Sequence, residues 1–217
     1  MAHIISQENS IFSRFIAEIR DKEIQIDPLR FRRNLERIGE VMAYEISKTL
    51  KYSPQQVETP LGVAECAELE NPVVLATIMR AGVPYHNGFL NYFDRASCTF
   101  ISAYRKTHKD NSFEIKLEYI SSGNIEDKTL ILVDPMLATG SSLVLAYNAL
   151  LERCGKPLHT HIATAIASEQ GVDYVKKNIA ADQITIWAGI VDEELTSKSY
   201  IVPGIGDAGD LAYGKKM

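Results

Sequence analysis

The stretch Thr129-Leu-Ile-Leu-Val-Asp-Pro-Met-Leu-Ala-Thr-Gly-Ser-Ser142 decides the fold, because it joins a strand to a helix through a short loop. The unbroken apolar run that ends at Val133 predicts a strand buried on both faces, as in parallel sheets. A helix is predicted from Ser141 to Cys154, since apolar residues recur there at helical spacing and Gly155 and Pro157 end the pattern. The stretch is therefore one strand-loop-helix unit.

The same alternation of strands and helices extends in both directions from this unit. Residues 73–78 predict a buried strand that stops at Arg80-Ala-Gly82, and Pro84 can open a helix that reaches about Phe93. Strands at 161–167 and 184–188 flank a short helix at 172–178. This rhythm predicts an α/β fold with an open parallel sheet flanked by helices, in which ligands bind at the carboxyl ends of the strands.

Three further segments complete a single predicted domain that spans residues 1–217. Asp27-Pro28 resembles a capped helix start, and the apolar spacing that follows predicts a helix over about 27–50. Strict polar and apolar alternation from Ser112 to Tyr119 predicts a half-exposed ribbon, so that 99–120 forms a protruding antiparallel β-arm able to move over a site. The C-terminal region, about 189–217, is predicted to form a small hood.

Composition narrows the range of partners. The chain has a formal net charge of −5, which disfavours general binding to nucleic acid. It contains no apolar run of the roughly 20 residues that span a bilayer and no basic start before an apolar stretch, so we expect neither membrane insertion nor secretion but a cytoplasmic protein. Cys66, Cys98 and Cys154 are too far apart for a disulfide framework or a zinc site, and we expect them to be buried.

The loop at residues 134–142, called the phosphate loop below, has the composition of an anion site. A helix N-terminus offers free backbone N–H groups, Thr139, Ser141 and Ser142 add hydroxyl donors, and Gly140 allows close approach. The lysine of nucleotide-triphosphate loops is missing, so a terminal phosphate monoester is the better ligand. In the alternative interpretation Ser141 is only a helix cap, which does not explain why Asp134 follows a buried strand directly.

The phosphate loop resembles the phosphoribosyl diphosphate (PRPP) loop of type I phosphoribosyltransferases. Most of that family has two adjacent acids at the start of the loop, whereas Asp134-Pro135 is similar to the version found in the uracil-specific members. The resemblance extends to Met79-Arg-Ala-Gly82, to Ala103-Tyr-Arg105 and to Tyr200-Ile-Val-Pro-Gly-Ile-Gly-Asp-Ala-Gly-Asp210. These four motifs occur in the order typical of the family and cover most of the chain.

This resemblance implies transfer of phosphoribose from PRPP to uracil, which gives UMP and diphosphate in pyrimidine salvage. It implies Mg²⁺ as cofactor, Arg105 and Asp207 in catalysis, and a homodimer or larger homo-oligomer. GTP binding and allosteric control are further family expectations, and the sequence itself does not show whether GTP or UTP regulates activity. The implied PRPP-binding residues are Arg80, Arg105, Asp134, Pro135, Met136, Leu137, Ala138, Thr139, Gly140, Ser141, Ser142 and Asp207.

The segment 200–210, called the base segment below, is expected to read the base. It contains a G-x-G-x-x-G match, but too few residues follow for a dinucleotide-binding unit. Uracil presents an acceptor, a donor and an acceptor, a pattern that backbone N–H, C=O and N–H groups can complement and that cytosine does not match. By resemblance, Ile201, Gly206, Asp207 and Ala208 bind uracil.

Several alternatives stay open at this stage. Gly140-Ser-Ser142 replaces the commoner Gly-Gly-Ser, and Leu195-Thr196 stands where the family often has Leu-Asn, so base preference could differ. A UMP-sensing RNA regulator or a sensor that binds ligand without turnover are rival functions. His159 and His161 share one strand face and could ligate a metal, although no third ligand is evident. Asp192-Glu-Glu194 is expected to be a solvated loop, although its position after the last strand allows it to border the base pocket, and Trp187 is expected to lie in the core.

Overall fold

The computed structural model describes residues 2–107 and 113–215, and the side chains of residues 104–116 lie outside that description. The helices are α1 Ile11–Arg20, α2 Pro28–Ser47, α3 Gly82–Leu90, α4 Ser141–Cys154, α5 Glu169–Asn178 and α6 Ala208–Tyr213. The strands are β1 Ala2–Ile4, β2 Tyr52–Thr59, β3 Gly62–Leu69, β4 Val73–Met79, β5 Ser97–Thr107, β6 Phe113–Ser121, β7 Thr129–Val133, β8 Met136–Leu137, β9 His159–Ser168, β10 Ile184–Asp192, β11 Glu194–Leu195 and β12 Ile201–Val202.

The main sheet confirms the predicted α/β class. Its strand order is β1-β10-β9-β7-β4-β5-β6, and the short β8 also pairs with β9. All described pairs are parallel except β5 with β6, which run antiparallel at one edge with a register shift between Ser102 and Ala103. The arm predicted at 99–120 thus begins as this antiparallel pair, and residues 108–112 lie outside the described chain.

The central strand β7 shows why its sequence has no polar residue between Leu130 and Val133. Ile131 and Val133 pack into one hydrophobic cluster with helices α1, α2 and α3, whereas Leu130 and Leu132 pack into a second cluster with α4 and α5. All four side chains are fully buried. A strand with a helical layer on each face needs apolar residues at every position, and the sheet is therefore the middle of three layers.

Helices α2 and α3 pack closely because a glycine stands at each side of their contact. A Cβ atom at Gly88 would overlap with the Glu36 carbonyl oxygen and would lie 2.8 Å from the Glu40 nitrogen. At Gly39 it would overlap with the Tyr85 carbonyl oxygen. This contact holds α3 against the core, so the turn that leads from β4 into α3 is fixed in position.

Two structured regions were not predicted from the sequence. Strands β2 and β3 form a separate antiparallel hairpin, and most of its residues are exposed on both faces, so it forms a protruding arm of its own. Near the N-terminus, β1 pairs with β10, and α1 packs its buried residues against the core. Neither region belongs to the alternation of strands and helices from which the α/β fold was predicted.

The predictions about which individual residues are buried were confirmed for Trp187 but not for the cysteines. Trp187 is buried as predicted, with 4% of its surface exposed. The expectation for Cys66 is wrong, because it lies exposed on the β3 arm, and Cys98 and Cys154 are only partly buried. Among the described helices, none has both the length and the apolar character that crossing a bilayer requires.

Candidate active site

A cavity of about 570 Å³ opens where β4 and β7 end at their carboxyl edge. Most of its lining comes from three separate parts of the chain: the turn after β4, the phosphate loop and the base segment. Its lining residues are Ile78, Met79, Arg80, Ala81, Ala103, Asp134, Met136, Ala138, Ser142, Lys198, Ser199, Tyr200, Gly206, Asp207, Ala208 and Gly209. Three of the four motifs singled out in the sequence therefore share one cavity, and Ala103 of the fourth motif also reaches it.

The phosphate loop encloses a narrower recess of about 50 Å³ between Asp134 and Leu143. The helix cap of α4 is Gly140, with φ +79°, and no side chain caps the helix. The alternative in which Ser141 is merely the cap is therefore wrong, since its hydroxyl instead lies 2.7 Å from that of Thr139. Free N–H groups at the start of a 14-residue helix beside two hydroxyls form a small site suited to a phosphate.

The other members of the loop have structural positions. Pro135 and Leu137 are buried, and the Pro135 carbonyl oxygen accepts the N–H of Ile166 at 3.0 Å. Met136 and Leu137 form β8, whose pairing with β9 fixes the path of the loop. Of these residues only Met136 lines the larger cavity. The backbone is thus anchored to the sheet before it reaches the recess.

Two residues that were not predicted from the sequence, Ser168 and Gly171, contact the backbone of this loop and hold it in place. The Ser168 hydroxyl donates to the Ala138 carbonyl oxygen at 2.6 Å and accepts the N–H of Gly171 at 2.9 Å. A Cβ atom at Gly171 would overlap with the Ala138 carbonyl oxygen and lie 2.7 Å from that of Leu137. A serine that starts α5 reads in sequence as an ordinary cap, so only the fold reveals this second contact.

Asp134 lies at the floor of the cavity, directly after β7. Its backbone N–H donates to the Ala163 carbonyl oxygen at 3.1 Å, and its carboxylate accepts a long hydrogen bond of 3.4 Å from the Met136 N–H. Desolvation raises the pKa of this carboxyl to about 7, and the Met136 hydrogen bond offsets only part of that effect. A carboxylate with so few partners is suited to accept hydrogen bonds from a ligand.

Arg80 follows a cis peptide bond at the end of β4 and reaches across the cavity. Its Nη2 donates to the Asp210 carboxylate and to the Gly214 carbonyl oxygen, both at 3.1 Å. Its buried Nε has no hydrogen-bond partner among the described residues. The guanidinium therefore links the end of β4 to the C-terminal region, and its Nε–H group is not used in this link.

Asp207 caps the short helix α6, where its Oδ1 accepts the N–H of Asp210 at 2.9 Å. The cap uses one carboxylate oxygen and leaves Asp207 partly exposed to the cavity. Gly206 and Ala208 line the cavity on either side of it. Ile201 is buried and pairs with Leu195 through β11 and β12, and it is not among the residues that line the cavity.

The turn between β11 and β12 forms a cavity wall that the sequence analysis noticed only at Leu195 and Thr196. The Thr196 hydroxyl accepts the N–H of Tyr200 at 3.1 Å, so threonine here stabilises the turn. Lys198, Ser199 and Tyr200 line the cavity, and of these only Tyr200 belongs to the base segment that was predicted to read the base. The lysine adds a second cation to a site where only arginines were expected.

The acidic cluster that begins at Asp192 divides into two kinds of residue. Glu193 and Glu194 are exposed, as expected for a solvated loop. For Asp192 that expectation is wrong: it is buried and paired with Arg20 at 2.7 Å. Arg105 lies on β5 within the described backbone, but its side chain is outside the description, so its role stays a prediction.

The histidine pair lies away from this cavity, near the amino end of β9. The rings of His159 and His161 are 5.0 Å apart, and the Trp187 indole donates to His161 Nδ1 at 3.1 Å. Burial lowers the pKa of His161 to about 4, so the ring is neutral. Because Nδ1 accepts the Trp187 N–H, the ring proton lies on Nε2, and neither nitrogen presents a free lone pair to a metal. No group of three potential metal-binding side chains occurs among the described residues.

Comparisons with known proteins agree with this geometry. The family described as uracil phosphoribosyltransferase matches residues 6–215. A uracil phosphoribosyltransferase of Porphyromonas gingivalis is 56% identical over 98% of each chain. One from Methanothermobacter thermautotrophicus is 40% identical over 88% of this chain and 86% of the relative. A solved structure of an Aquifex aeolicus protein covers 99% of this chain and 98% of its own, with TM-score 0.88 and 26% identity.

Proposed function

This chain belongs to the uracil phosphoribosyltransferase family, and we propose that it converts uracil and PRPP into UMP and diphosphate in pyrimidine salvage. The observation that carries the proposal is the single cavity that joins the phosphate loop, Arg80 and the base segment. Phosphate, diphosphate and base sites have to meet at one carbon atom for this reaction. A cavity lined by residues of all three segments supports this arrangement.

The reaction breaks the bond between C1 of the ribose and the diphosphate oxygen, and it forms a bond from C1 to N1 of uracil. The N1 proton is released, and no covalent enzyme intermediate is needed. The phosphate loop would hold the 5-phosphate, and Asp134 would accept hydrogen bonds from the ribose hydroxyls. Because both substrates are held at fixed distance, much of the rate enhancement comes from positioning.

Negative charge grows on the diphosphate as its bond to C1 breaks, and Arg80 is placed to stabilise it. In the free protein this guanidinium contacts Asp210 at 3.1 Å. An incoming diphosphate would compete for the same donor, so binding would exchange an internal partner for the substrate. The buried Nε of Arg80 is a further donor for the same anion.

We propose Mg²⁺ as the cofactor, held mainly by diphosphate oxygens. Magnesium in nucleotide and phosphate sites is typically bound by one or two carboxylates together with phosphate oxygens and water. Asp207 fits this pattern because its carboxylate borders the cavity and only one of its oxygens caps α6. Bound there, the cation would neutralise charge on the leaving diphosphate, while Asp207 orients it.

The base segment would recognise uracil through backbone groups of Gly206 and Ala208, which line the cavity. Ile201 is buried and does not line the cavity, so it would act on the base through its neighbours in the base segment. The test is product formation from PRPP and Mg²⁺ with uracil, cytosine, orotate or hypoxanthine. We expect turnover with uracil, and turnover with hypoxanthine but not with uracil would refute the assignment.

Arg105→Ala is expected to lower kcat/KM by about 10- to 100-fold, since the arm residue would hold diphosphate and help to exclude water. Steady-state kinetics with varied PRPP would measure the effect, and circular dichroism would show that the fold is retained. Arg153→Ala, at the far end of α4, is the matched control. An undiminished kcat/KM for Arg105→Ala would remove this residue from the site.

Assembly into a homodimer or larger symmetric oligomer, GTP binding with allosteric control and a cytoplasmic location are further proposals. They rest on the family resemblance and are independent of the cavity geometry. Light scattering coupled to size-exclusion chromatography, with and without GTP, would measure the first two together. A protein that is monomeric at micromolar concentration, and whose assembly state does not change when GTP is added, would argue against both proposals.

A further inference from the structure

The base segment is attached to the N-terminal region through one buried carboxylate. Asp192, the last residue of β10, accepts a hydrogen bond from Arg20 Nη2 at 2.7 Å through Oδ1. Its other oxygen, Oδ2, accepts the backbone N–H of Gly204 at 3.0 Å. The Arg20 Nη1 also reaches the Gly204 carbonyl oxygen at 3.5 Å. A single acid thus holds α1 and the base segment together.

This attachment is protected from solvent. The side chain of Asp192 is 6% exposed and that of Arg20 is 19% exposed. Surface ion pairs contribute little, but an ion pair with buried, hydrogen-bonded partners fixes its neighbours firmly, and removing one partner leaves an uncompensated charge. The geometry of Gly204 is therefore set by Asp192 rather than by water.

Gly204 has little freedom to relax. Its φ is +51°, a left-handed conformation, and a Cβ atom there would overlap with the Ile201 carbonyl oxygen and lie 2.8 Å from the Ile201 carbonyl carbon. Gly204 lies between Ile201 and Gly206, two of the residues expected to read the base. A shift of its amide would be passed directly to both of them.

We infer that Asp192 is a positioning residue for base recognition, which acts through Arg20 and the Gly204 amide without touching the substrates. The inference rests on the proposed function, because it concerns the uracil subsite of the same reaction. It concerns mainly one of the two substrate sites, since the phosphate loop is held by the Ser168 side chain, which does not contact the Asp192 side chain although the two residues pair in β9 and β10. Asp192 therefore acts mainly on the base site, and it can affect the PRPP site only indirectly, through Asp207 and Asp210 of the same segment.

Asp192→Asn tests this separation. The amide keeps an oxygen for the Gly204 N–H but loses the charge that pairs with Arg20. We expect the KM for uracil to rise about tenfold, because displacements of about 1 Å in a positioned group can cost up to about 100-fold in rate. The KM for PRPP should stay within about twofold, and the ratio of kcat/KM for uracil to that for cytosine should fall.

Arg20→Gln removes the other partner and should change the same parameters in the same direction. If both residues act as one unit, the double variant should be no worse than the poorer single variant. Arg20→Lys keeps the positive charge, so its KM for uracil should lie between those of the wild type and Arg20→Gln. The matched control is Glu18→Gln, which loses a buried acid on the same helix, paired with Arg30 at 2.8 Å, without contacting the base segment.

Wild-type turnover with uracil together with an unchanged uracil KM in folded Asp192→Asn would overturn this inference alone. An equal rise in KM for both substrates, or the same uracil effect in Glu18→Gln, would also overturn it, because either result indicates general loosening. If Asp192→Asn does not fold, Arg20→Gln and Arg20→Lys carry the test. A wild-type protein that forms no UMP from uracil and PRPP would instead refute the proposed function.

Discussion

Asp134→Asn should stabilise the free protein at pH 8 and at the same time lower kcat/KM by about 100-fold or more. The loss of activity follows from the proposed ribose contact, because hydrogen bonds to a charged acceptor are worth about 1.5–3 kcal/mol each. The gain in stability follows from burial, which raises the pKa of this carboxyl to about 7 from an ordinary value of 3.8. The negative charge of Asp134 is thus needed to bind the ligand, but it destabilises the folded state.

The direction of the pH effect follows from where the proton is bound. Between about pH 4 and pH 7 the folded state binds more protons at Asp134 than the unfolded state, so stability falls as pH rises through this window. Asparagine stays neutral and lacks this dependence. One pKa unit corresponds to about 1.4 kcal/mol, so the shift sets a limit near 4 kcal/mol, and the opening to the cavity reduces the expected gain to about 1–3 kcal/mol.

Denaturant unfolding of wild type and Asp134→Asn at pH 5 and pH 8 would measure this effect. The two proteins should differ less at pH 5, where only part of the window from about pH 4 to pH 7 has been crossed, than at pH 8. Asp173→Asn, an exposed acid on α5, is the matched control. Equal stabilities at both pH values would show that Asp134 is not the destabilising charge. PRPP should also bind the wild type more tightly as pH rises through 7.

Gly171→Ala should lower kcat/KM for PRPP by about 100-fold, although residue 171 does not line the cavity. Its Cβ atom would overlap with the Ala138 carbonyl oxygen, which is backbone and cannot move aside without moving the phosphate loop. The same displacement would break the Ser168 contact to Ala138. Because the loop would hold the 5-phosphate through backbone N–H groups, a shift of about 1 Å misplaces all of them together.

Gly88→Ala is the matched control, since its Cβ atom overlaps with backbone to a similar degree at the contact of α2 and α3. Overpacking of this kind costs about 1–3 kcal/mol, so both variants should be less stable than wild type. Gly171→Ala should raise the KM for PRPP much more than Gly88→Ala, because residue 171 contacts the phosphate loop directly, whereas residue 88 can affect Arg80 only through the position of α3. If Gly88→Ala raises it equally, the effect on Gly171 reports general instability rather than the phosphate loop.

Local patterns explain most of what was predicted correctly. The helix after Asp27 was found because proline at its first position and an aspartate cap are both visible in the sequence, and the structure shows Asp27 accepting from the N–H groups of Leu29 and Arg30. The strand at Thr129–Val133 was found because burial on both faces excludes polar residues. In each case the determining contacts lie within a few residues along the chain.

The unpredicted features depend on contacts between distant residues. The β2–β3 arm has polar residues on both faces, so no alternation marks it as a strand. Asp192 was expected to be solvated because its neighbours are acidic, and its burial depends on a partner 172 residues away. Lys198 lines the cavity as part of a turn that is closed by hydrogen bonds between Thr196 and Tyr200. Periodicity cannot report such pairings, since their partners are adjacent only in the folded chain.

The tie from Arg20 to Asp192 also constrains the order in which the protein can mature. The N-terminal helix α1 can form early, yet its anchor for the base segment is still missing until residue 192 is available. The edge strand β1 likewise cannot pair in the sheet until β10 is available. Contacts of such long sequence separation form late and slow the folding of a chain. During synthesis, a nascent chain could therefore assemble its phosphate loop well before it gains the ability to select a base.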